Sequence, residues 1–460
     1  MMQPPAQALP AFDTRPAGDP IARLDRIPVW PYPYSLLWVL GAAYFFAFFD
    51  IVNIGAVLPE IASEFHVTAT LASSAITAGL IAYIIGAYGI GSLADLFGRR
   101  LSLVLSVGLF SLGSIGAAFS PSFEVLVLFR FITGLGLGAE IASVTTYLGE
   151  ITPASMRGKY TSWATTCAYA GFVAVPFVAR FLLPTYRWGW RALFLIGAAG
   201  GITIFFMRWH LGESPRWLMI HGHEEEAEKA VRQAEACARQ RFAHPLPEPE
   251  PRLNRSEPRG YPTSSLLHPP YRRRVLLLIA LWFFYYIGNY GWLEMLPTLL
   301  RQISYSLASS LTYLIVSGVG FVAGALLSIW LNDRIERHRT LFVAGLIWVL
   351  ALLTVGLIPQ PSVIMAAGFV ASATIGLMVP IMYTLTAEHF ATPARASGVA
   401  LTDGLGHIGG ALAPILVLIG TLNFGFFGGL LVMALSGVGV LGLLPFTIRA
   451  TRKPLDEVSG

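Results

Sequence analysis

Charge is the scarcest property of this 460-residue sequence. Acidic and basic residues make up 12% of it, whereas hydrophobic residues make up 55% and mean hydropathy is +0.63. A soluble domain carries about twice that charged fraction, so a soluble enzyme and a wholly disordered chain are both excluded. Long unbroken apolar runs predict membrane-spanning helices rather than the alternating strands of a membrane β-barrel.

Cysteine and the usual chemical motifs are scarce as well. The two cysteines, Cys167 and Cys237, predict neither a disulfide framework nor a metal site. The sequence contains no phosphate loop, nucleophile motif or His-rich cluster, so we expect no cofactor, no metal and no catalytic residues. Residues 1–34 are proline-rich and lack the apolar core of a signal peptide, which predicts a loose cytoplasmic tail.

The apolar residues fall into twelve segments. These lie near 35–58, 70–94, 101–119, 122–147, 161–183, 191–210, 274–299, 308–331, 340–358, 362–386, 396–420 and 423–447. They predict an all-α membrane protein with twelve transmembrane helices. Its predicted parts are a tail (1–34), a six-helix half (35–210), a cytoplasmic linker with short helices (211–272), a second six-helix half (273–447) and a tail (448–460).

Basic residues lie mostly on one side of these segments. With the N-terminus inside, 26 of the 31 lysines and arginines fall in inner segments and four in outer segments. The positive-inside rule therefore predicts a multi-pass protein of the cytoplasmic (inner) membrane with both termini in the cytoplasm. This asymmetry also accounts for the net charge of +5, so nucleic-acid binding is not expected.

Charged positions in the two halves repeat at a common offset. Three positions have a counterpart 238 residues later, namely Asp95 with Asp333, Glu150 with Glu388, and Arg157 with Arg395. A shared offset of this kind predicts a duplicated architecture in which the two halves have parallel topology.

Several tracts resemble a known family. The tract 91–100 resembles the loop between helices 2 and 3 of the major facilitator superfamily, and 130–140 resembles its helix 4 motif. The tract 212–218 is similar to the segment after helix 6 in sugar porters and metabolite:proton symporters. The tract 388–398 resembles the symporter and synaptic-vesicle-protein-like branches, although His407 stands where those branches often have arginine. The resemblance implies alternating-access symport of a small polar metabolite, an organic acid or a sugar, with protons.

Two ionisable residues lie deep inside predicted spans. Asp50 and Arg130 are each eight positions from the outer end of their span, or about 12 Å along a helix axis. Opposite charges at equal depth predict a pair, and protonation of Asp50 would release Arg130 and couple transport to a proton gradient. The resemblance implies the same role, because sugar porters carry an acid on helix 1 and an arginine on helix 4. The alternative is a static ion pair that fixes helix packing.

The predicted substrate-binding residues are polar or aromatic and lie within spans 1, 7 and 11. They are Asn53, Tyr286, Asn289, Tyr290, Trp292, Asp403 and His407. The alternatives are an interfacial aromatic belt and a packed polar residue at His407. Glu294, close to the outer end of span 7, is interpreted as a solvent-exposed carboxylate or a substrate contact. Glu140, near the inner end of span 4, is interpreted as a gate residue or an interfacial carboxylate.

The predicted gating residues are in the inner loops and at the ends of the spans. They are Gly91, Asp95, Gly98, Arg99, Glu150, Arg157, Asp333, Arg337, Glu388 and Arg395. Charge-assisted hydrogen bonds among them would latch the cytoplasmic side while the outside is open. The alternative is that they anchor helix ends among lipid headgroups.

Other functions remain open at this stage. A passive facilitator would share the fold, and a proton-driven exporter is disfavoured because 170–176 in span 5 lacks repeated glycines. A membrane enzyme or receptor is the alternative from a different class. The expected partners are a small-molecule substrate, a proton and the lipid bilayer, and the protein is expected to be a monomer.

Overall fold

The computed structural model describes residues 19–153, 156–209, 211–249, 266, 268–269, 271–331, 334–390 and 392–448. Within these ranges every regular element is helical. The helices are α1 (Pro20–Asp25), α2 (Tyr34–Glu64), α3 (Ala69–Ala72), α4 (Ser74–Phe97), α5 (Arg99–Ala118), α6 (Phe123–Ile151), α7 (Arg157–Leu182), α8 (Gly189–Arg208), α9 (Pro215–Ile220), α10 (Glu224–Arg239), α11 (Arg272–Tyr290), α12 (Leu296–Gln302), α13 (Leu307–Leu331), α14 (Arg337–Leu357), α15 (Pro361–Glu388) and α16 (Thr392–Leu443). A π-helical turn, Gly291–Met295, joins α11 to α12.

Among the described residues, eleven helices are long and apolar enough to cross a membrane, where the sequence predicts twelve spans. The last, α16, has 52 residues and contains a break at Phe424 and Gly425. Gly425 has a φ of +62°, a conformation that glycine adopts without the steric cost paid by other residues. Each part of α16 is then one span, and the predicted all-α fold is confirmed.

The helices form two groups that meet along a seam. Within the first group, α2 packs on α7 and α8, and α6 packs on α4 and α5; in the second, α11 packs on α16 and α15 packs on α13 and α14. Contacts across the seam run from α4 to α16, from α7 to α13, and from α2 to the π-helical turn and α12. The side of the molecule that carries α9 and α10 is called the linker face, and the other side the opposite face.

Helix α9 is the first helix of the linker. Ser214 caps it, because its Oγ accepts a hydrogen bond from the Trp217 amide at 3.3 Å, and Pro215 occupies the first helical position. Helix α10 follows at Glu224–Arg239. The predicted helical part of the linker is therefore present, and it lies against the first half through the contact of α9 with α6.

The prediction of a loose N-terminal tail is wrong for residues 19–33. Helix α1 packs on α10, with Leu24 and Ile27 buried against Val231 and its neighbours. Arg23 bonds Glu235 at 2.7 Å, and a second salt bridge joins Arg23 to Glu228. Partial burial raises the pKa of Glu235, but hydrogen bonds from arginines of the N-terminal segment outweigh this and hold the pKa below its ordinary value. Charge and apolar burial together dock the segment, which composition alone did not reveal.

Glycines allow α4 and α6 to approach closely. A Cβ added at Gly134 would overlap the carbonyl of Gly79, and one added at Gly138 would overlap the carbonyl of Tyr83. Small residues allow backbones to come together in this way in membrane helix pairs. The approach holds Arg130, on α6, and Tyr83, on α4, in the same packed unit.

Candidate functional site

The predicted pair of Asp50 and Arg130 lies in contact inside the first half. The Arg130 Nη1 is 3.4 Å from the Asp50 Oδ2, and both side chains are buried. Ser114 of α5 donates a second hydrogen bond to Asp50 Oδ2 at 2.8 Å. The guanidinium also lies 5.6 Å from the centroid of the Phe194 ring on α8. Four helices thus converge on one buried ion pair.

The ion pair is loosely held. Its 3.4 Å separation exceeds the 2.7–2.9 Å that is typical of a charge-assisted hydrogen bond. Asp50 Oδ1 and Arg130 Nε are buried and have no hydrogen-bond partner among the described residues. The pair therefore leaves buried polar atoms incompletely hydrogen-bonded, which is costly in a buried site.

A second cluster surrounds His407 in the middle of α16. The imidazole stacks on Tyr83 of α4, with ring centroids 4.3 Å apart, and lies 3.9 Å from the ring of Tyr286 on α11. Tyr290 is a third neighbour at 5.8 Å. Because Tyr83 belongs to the first half and Tyr286 to the second, His407 is held between rings from both halves. This aromatic–histidine cluster is the central site of the seam.

Hydrogen bonds fix the orientation of His407. Its Nδ1 lies 2.8 Å from the main-chain carbonyl of Asp403, one helical turn earlier. A carbonyl only accepts, so Nδ1 carries the hydrogen and Nε2 is left for another partner. The Asp403 carboxylate accepts hydrogen bonds from Tyr286 at 2.5 Å and Tyr383 at 3.0 Å. Its side chain is 14% exposed, more than that of His407 at 3%.

Three predicted substrate residues lie apart from this cluster. The Trp292 indole donates to Ser372 of α15 at 2.9 Å, inside the second half. Asn53 and Asn289 are buried, but neither hydrogen-bonds to the side chains around His407. The structure therefore brings together Tyr286, Tyr290, Asp403 and His407 of the predicted set, and separates Trp292 from them.

On the opposite face the two halves are joined. Arg301 at the end of α12 bonds Glu60 near the end of α2 at 2.8 Å. Nearer the middle, the Thr77 hydroxyl donates to the carbonyl of Ala411 at 2.9 Å, from α4 to α16. The seam is therefore closed on the opposite face.

Comparisons with known proteins agree with this architecture. The family model described as Major Facilitator Superfamily matches residues 40–414 and, in a second match, 314–459. The chain belongs to the major facilitator superfamily. It is 30% identical to YyaJ of Bacillus subtilis over 409 residues, covering 88% of this chain and 90% of YyaJ.

Other relatives of this major facilitator chain carry names that state a substrate. The niacin transporter NiaP of Acinetobacter baylyi is 28% identical, with 87% of this chain and 90% of NiaP covered. The 4-hydroxybenzoate transporter PcaK of Pseudomonas aeruginosa is also 28% identical, with 85% and 87% covered. The partially occluded inward open xylose transporter XylE of E. coli superposes with a TM-score of 0.74 at 20% identity, covering 92% of this chain and 99% of XylE. The protein is thus a multi-pass membrane transporter rather than an enzyme.

Predicted gating residues of this superfamily member form two ion pairs in the described structure, each within one half. Arg99 bonds Glu150 at 2.7 Å, and Arg337 bonds Glu388 at 3.0 Å. Both members of the second pair lie 238 residues after those of the first, so the offset found in the sequence also relates these contacts. Neither pair joins the halves, which differs from the predicted latch.

The linker extends the first of these pairs. The Glu213 carboxylate accepts hydrogen bonds from the amides of Arg99 at 2.9 Å and Arg100 at 3.1 Å, where α5 begins. Gly98 precedes this helix with a φ of +102°, and an added Cβ would collide with Glu213. Asp333, another predicted gating residue, lies outside the described residues. For Gly91, Asp95, Arg157 and Arg395 the structure describes only the helical backbone.

Glu140 is not an interfacial carboxylate. It is fully buried and forms an ion pair with Arg208 of α8 at 2.6 Å, and Ser106 donates to the same carboxylate at 2.6 Å. Arg208 also donates to the carbonyl of Leu103 at 2.8 Å. Arg208 falls at the end of the predicted span 191–210 in the first half, and the structure places its side chain there, fully buried.

Two tyrosines of the central site were not predicted from the sequence. Tyr83 and Tyr383 lie inside spans 2 and 10 and contact His407 and Asp403, respectively. A single aromatic residue with a polar tip in the middle of a span was the available signal. It was weak, because aromatic residues are common in apolar helices and only the packing of α4 on α16 assigns Tyr83 to the seam.

Proposed function

We propose that the protein is a proton-coupled symporter that takes up a small aromatic carboxylate across the cytoplasmic membrane. The observation that carries this proposal is His407 between Tyr83 and Tyr286, one ring from each half. A planar aromatic substrate can replace the imidazole-to-tyrosine stacking with its own. The names of NiaP and PcaK state niacin and 4-hydroxybenzoate, both aromatic acids, which supports this class over sugars.

The His407 ring supplies the group that recognises a carboxyl. With Nδ1–H donating to the Asp403 carbonyl, Nε2 can accept from a carboxylic acid or, when protonated, donate to a carboxylate. The tyrosine hydroxyl hydrogen bonds keep the Asp403 carboxylate occupied. A substrate anion and one proton are then accommodated together in the seam.

Asp50 and Arg130 are the proposed coupling pair. Protonation of Asp50 removes its charge and releases Arg130, and the cost of leaving that cation unpaired biases the halves toward their other arrangement. The loose 3.4 Å contact and the spare bonding capacity of the pair support this role. A ligand that binds one arrangement better than the other then completes the cycle.

The membrane orientation follows from charge. Most basic residues of the sequence lie on the linker side of the spans, so we place the linker face in the cytoplasm. The joined opposite face then makes the present arrangement the inward-facing one. Asp403, nearer the linker face and partly exposed, marks the side from which the central site is reached.

Uptake into proteoliposomes tests the function. Labelled 4-hydroxybenzoate, nicotinate and xylose are offered with and without an inward proton gradient. We expect accumulation of one of the acids only with the gradient, and we expect His407→Gln to raise KM for that acid at least tenfold. Accumulation of xylose instead, or gradient-independent equilibration of the acids, would contradict the proposal.

A further inference from the structure

A second buried carboxyl lies at the seam near the coupling pair. Glu294 is in the π-helical turn between α11 and α12, and its backbone packs directly on Gly55 of α2. A Cβ on Gly55 would meet the Cα of Glu294 at 2.6 Å. Gly55 is on the same helix as Asp50, so Glu294 presents an acid from the second half to the region of the ion pair in the first.

Glu294 is buried, whereas its place near the end of span 7 predicted an exposed carboxylate. The residue is 2% exposed, and its Oε2 has no hydrogen-bond partner among the described residues. A carboxylate without partners in such a place is costly, whereas the neutral acid is much less so. The extra residue of the π turn rotates the following chain by about 100° relative to a regular helix, and π turns recur at functional sites.

The balance of buried charges also indicates that one carboxyl near Arg130 carries a proton. Arg130 is paired with Asp50 and also interacts electrostatically with Glu294. One cation among two carboxylates leaves a net charge of −1 unless one acid carries a proton. Asp50 has bonds from Arg130 and Ser114, whereas the Oε2 of Glu294 has none.

Other ionisable groups surround the turn. The elements packed against it are α2, α11, α12 and α16. The ionisable groups of these elements include Asp50, Glu60, Tyr286, Tyr290, Arg301, Asp403 and His407. Arg301 is already paired with Glu60, and Asp403 with two tyrosines. Tyr290 interacts electrostatically with Glu294 but brings no positive charge.

We propose that Glu294 is a second proton site of the transport cycle, loaded from water at the opposite face as the halves close there. This inference rests on the proposed proton coupling and assigns the proton of the closed arrangement to Glu294, with Asp50 left paired to Arg130. When the halves separate, Glu294 leaves Gly55, enters water and exchanges its proton. Closure of the opposite face thereby takes up a proton that is returned at the same face on opening, so Glu294 sets how closure depends on pH there and carries no net proton across the membrane.

The test measures closure without substrate or gradient. Spin labels are placed at Arg187→Cys and Gln360→Cys, exposed loop positions in the first and second half, after Cys167 and Cys237 are replaced by serine. Distance distributions between the labels give the ratio of closed to open molecules at pH 5.5, 7 and 8.5 in nanodiscs. The variants are Glu294→Gln, Asp50→Asn and, as a matched control, Glu64→Gln at the end of α2.

We expect the ratio of closed to open molecules to fall up to tenfold per pH unit once Glu294 titrates. Glu294→Gln should stay closed at every pH, and Glu64→Gln should keep the wild-type response. Asp50→Asn should change the ratio at each pH, because it frees Arg130, but should keep a ratio that depends on pH. A pH-independent ratio in the wild type, or a response that persists in Glu294→Gln, would overturn the inference. A response lost in Asp50→Asn but kept in Glu294→Gln would assign the proton to Asp50 instead. None of these results depends on which solute is transported.

Discussion

Replacing Asp50 by asparagine tests the coupling pair most directly. Asparagine has nearly the same shape as aspartate and can still accept the 2.8 Å hydrogen bond from Ser114. It removes the negative charge that lies 3.4 Å from Arg130. The variant therefore isolates the charge from the packing of α2 against its neighbours.

Two magnitudes follow from this geometry. Asp50 is fully buried and Arg130 is 3% exposed, so removal of one partner should lower the free energy of unfolding by about 3–5 kcal/mol. A one-unit proton gradient is worth about 1.4 kcal/mol, which drives about tenfold accumulation in an electroneutral one-to-one symport. Asp50→Asn should reduce that ratio to one, because the gradient no longer acts on the transporter.

The assays separate these two effects. Urea or SDS unfolding in detergent gives the stability, and uptake in proteoliposomes with inside pH 7.5 and outside pH 6.5 gives the accumulation ratio. The double variant Asp50→Asn with Arg130→Gln should unfold less readily than Asp50→Asn alone, since no unpaired cation is left buried, and it should still fail to accumulate solute. If Asp50→Asn folds and retains tenfold accumulation, Asp50 is not the coupling acid.

Three further predictions concern the surrounding charges. Arg208→Ala should destabilise the first half by about 3–5 kcal/mol in detergent unfolding, because it leaves Glu140 buried and unpaired; an effect below 1 kcal/mol would contradict the buried placement. Glu60→Gln should shift the balance of closed and open molecules by no more than about 1 kcal/mol, since this pair is partly exposed, and double electron–electron resonance can measure it. The pKa of Glu235 is held low, so its bond to Arg23 stabilises the docked N-terminus above about pH 4.3 and loses that effect as pH falls through the lowered pKa. Hydrogen exchange of residues 19–27, corrected for intrinsic rates, should be unchanged between pH 8 and 5 and faster at pH 3, and protection that persists at pH 3 would refute the role of the carboxylate.

The fold was predictable because the membrane imposes a simple rule. Backbone groups in lipid must bond within the helix, so hydropathy alone locates each span, and every predicted apolar segment overlaps a described helix. Equal depth in spans 1 and 4 was enough to place Asp50 beside Arg130. One-dimensional position worked there because both residues are eight positions from the same end of their spans, and the two helices pack in one half.

The unpredicted features depend on which helix lies beside which. Tyr83 reaches His407 only because α4 crosses the seam onto α16, and Glu294 is buried only because the π turn packs on Gly55. The helix α1 was missed because six residues carry little periodicity, and its partner α10 lies about 200 residues away in the sequence. Tertiary contacts decide which helices lie side by side. A single sequence indicates such contacts only where charges repeat at a fixed offset.

The repeated charges suggest how the halves move. The pairs Arg99–Glu150 and Arg337–Glu388 each join helices of one half, so they can persist while the halves rock. The bond between Glu60 and Arg301 crosses the seam and must break when the opposite face opens. At about 1 kcal/mol or less it is too weak to hold the closed state alone. Under the proposed coupling, burial of the seam and protonation of its acids would set the balance, and a proton gradient would act through those acids.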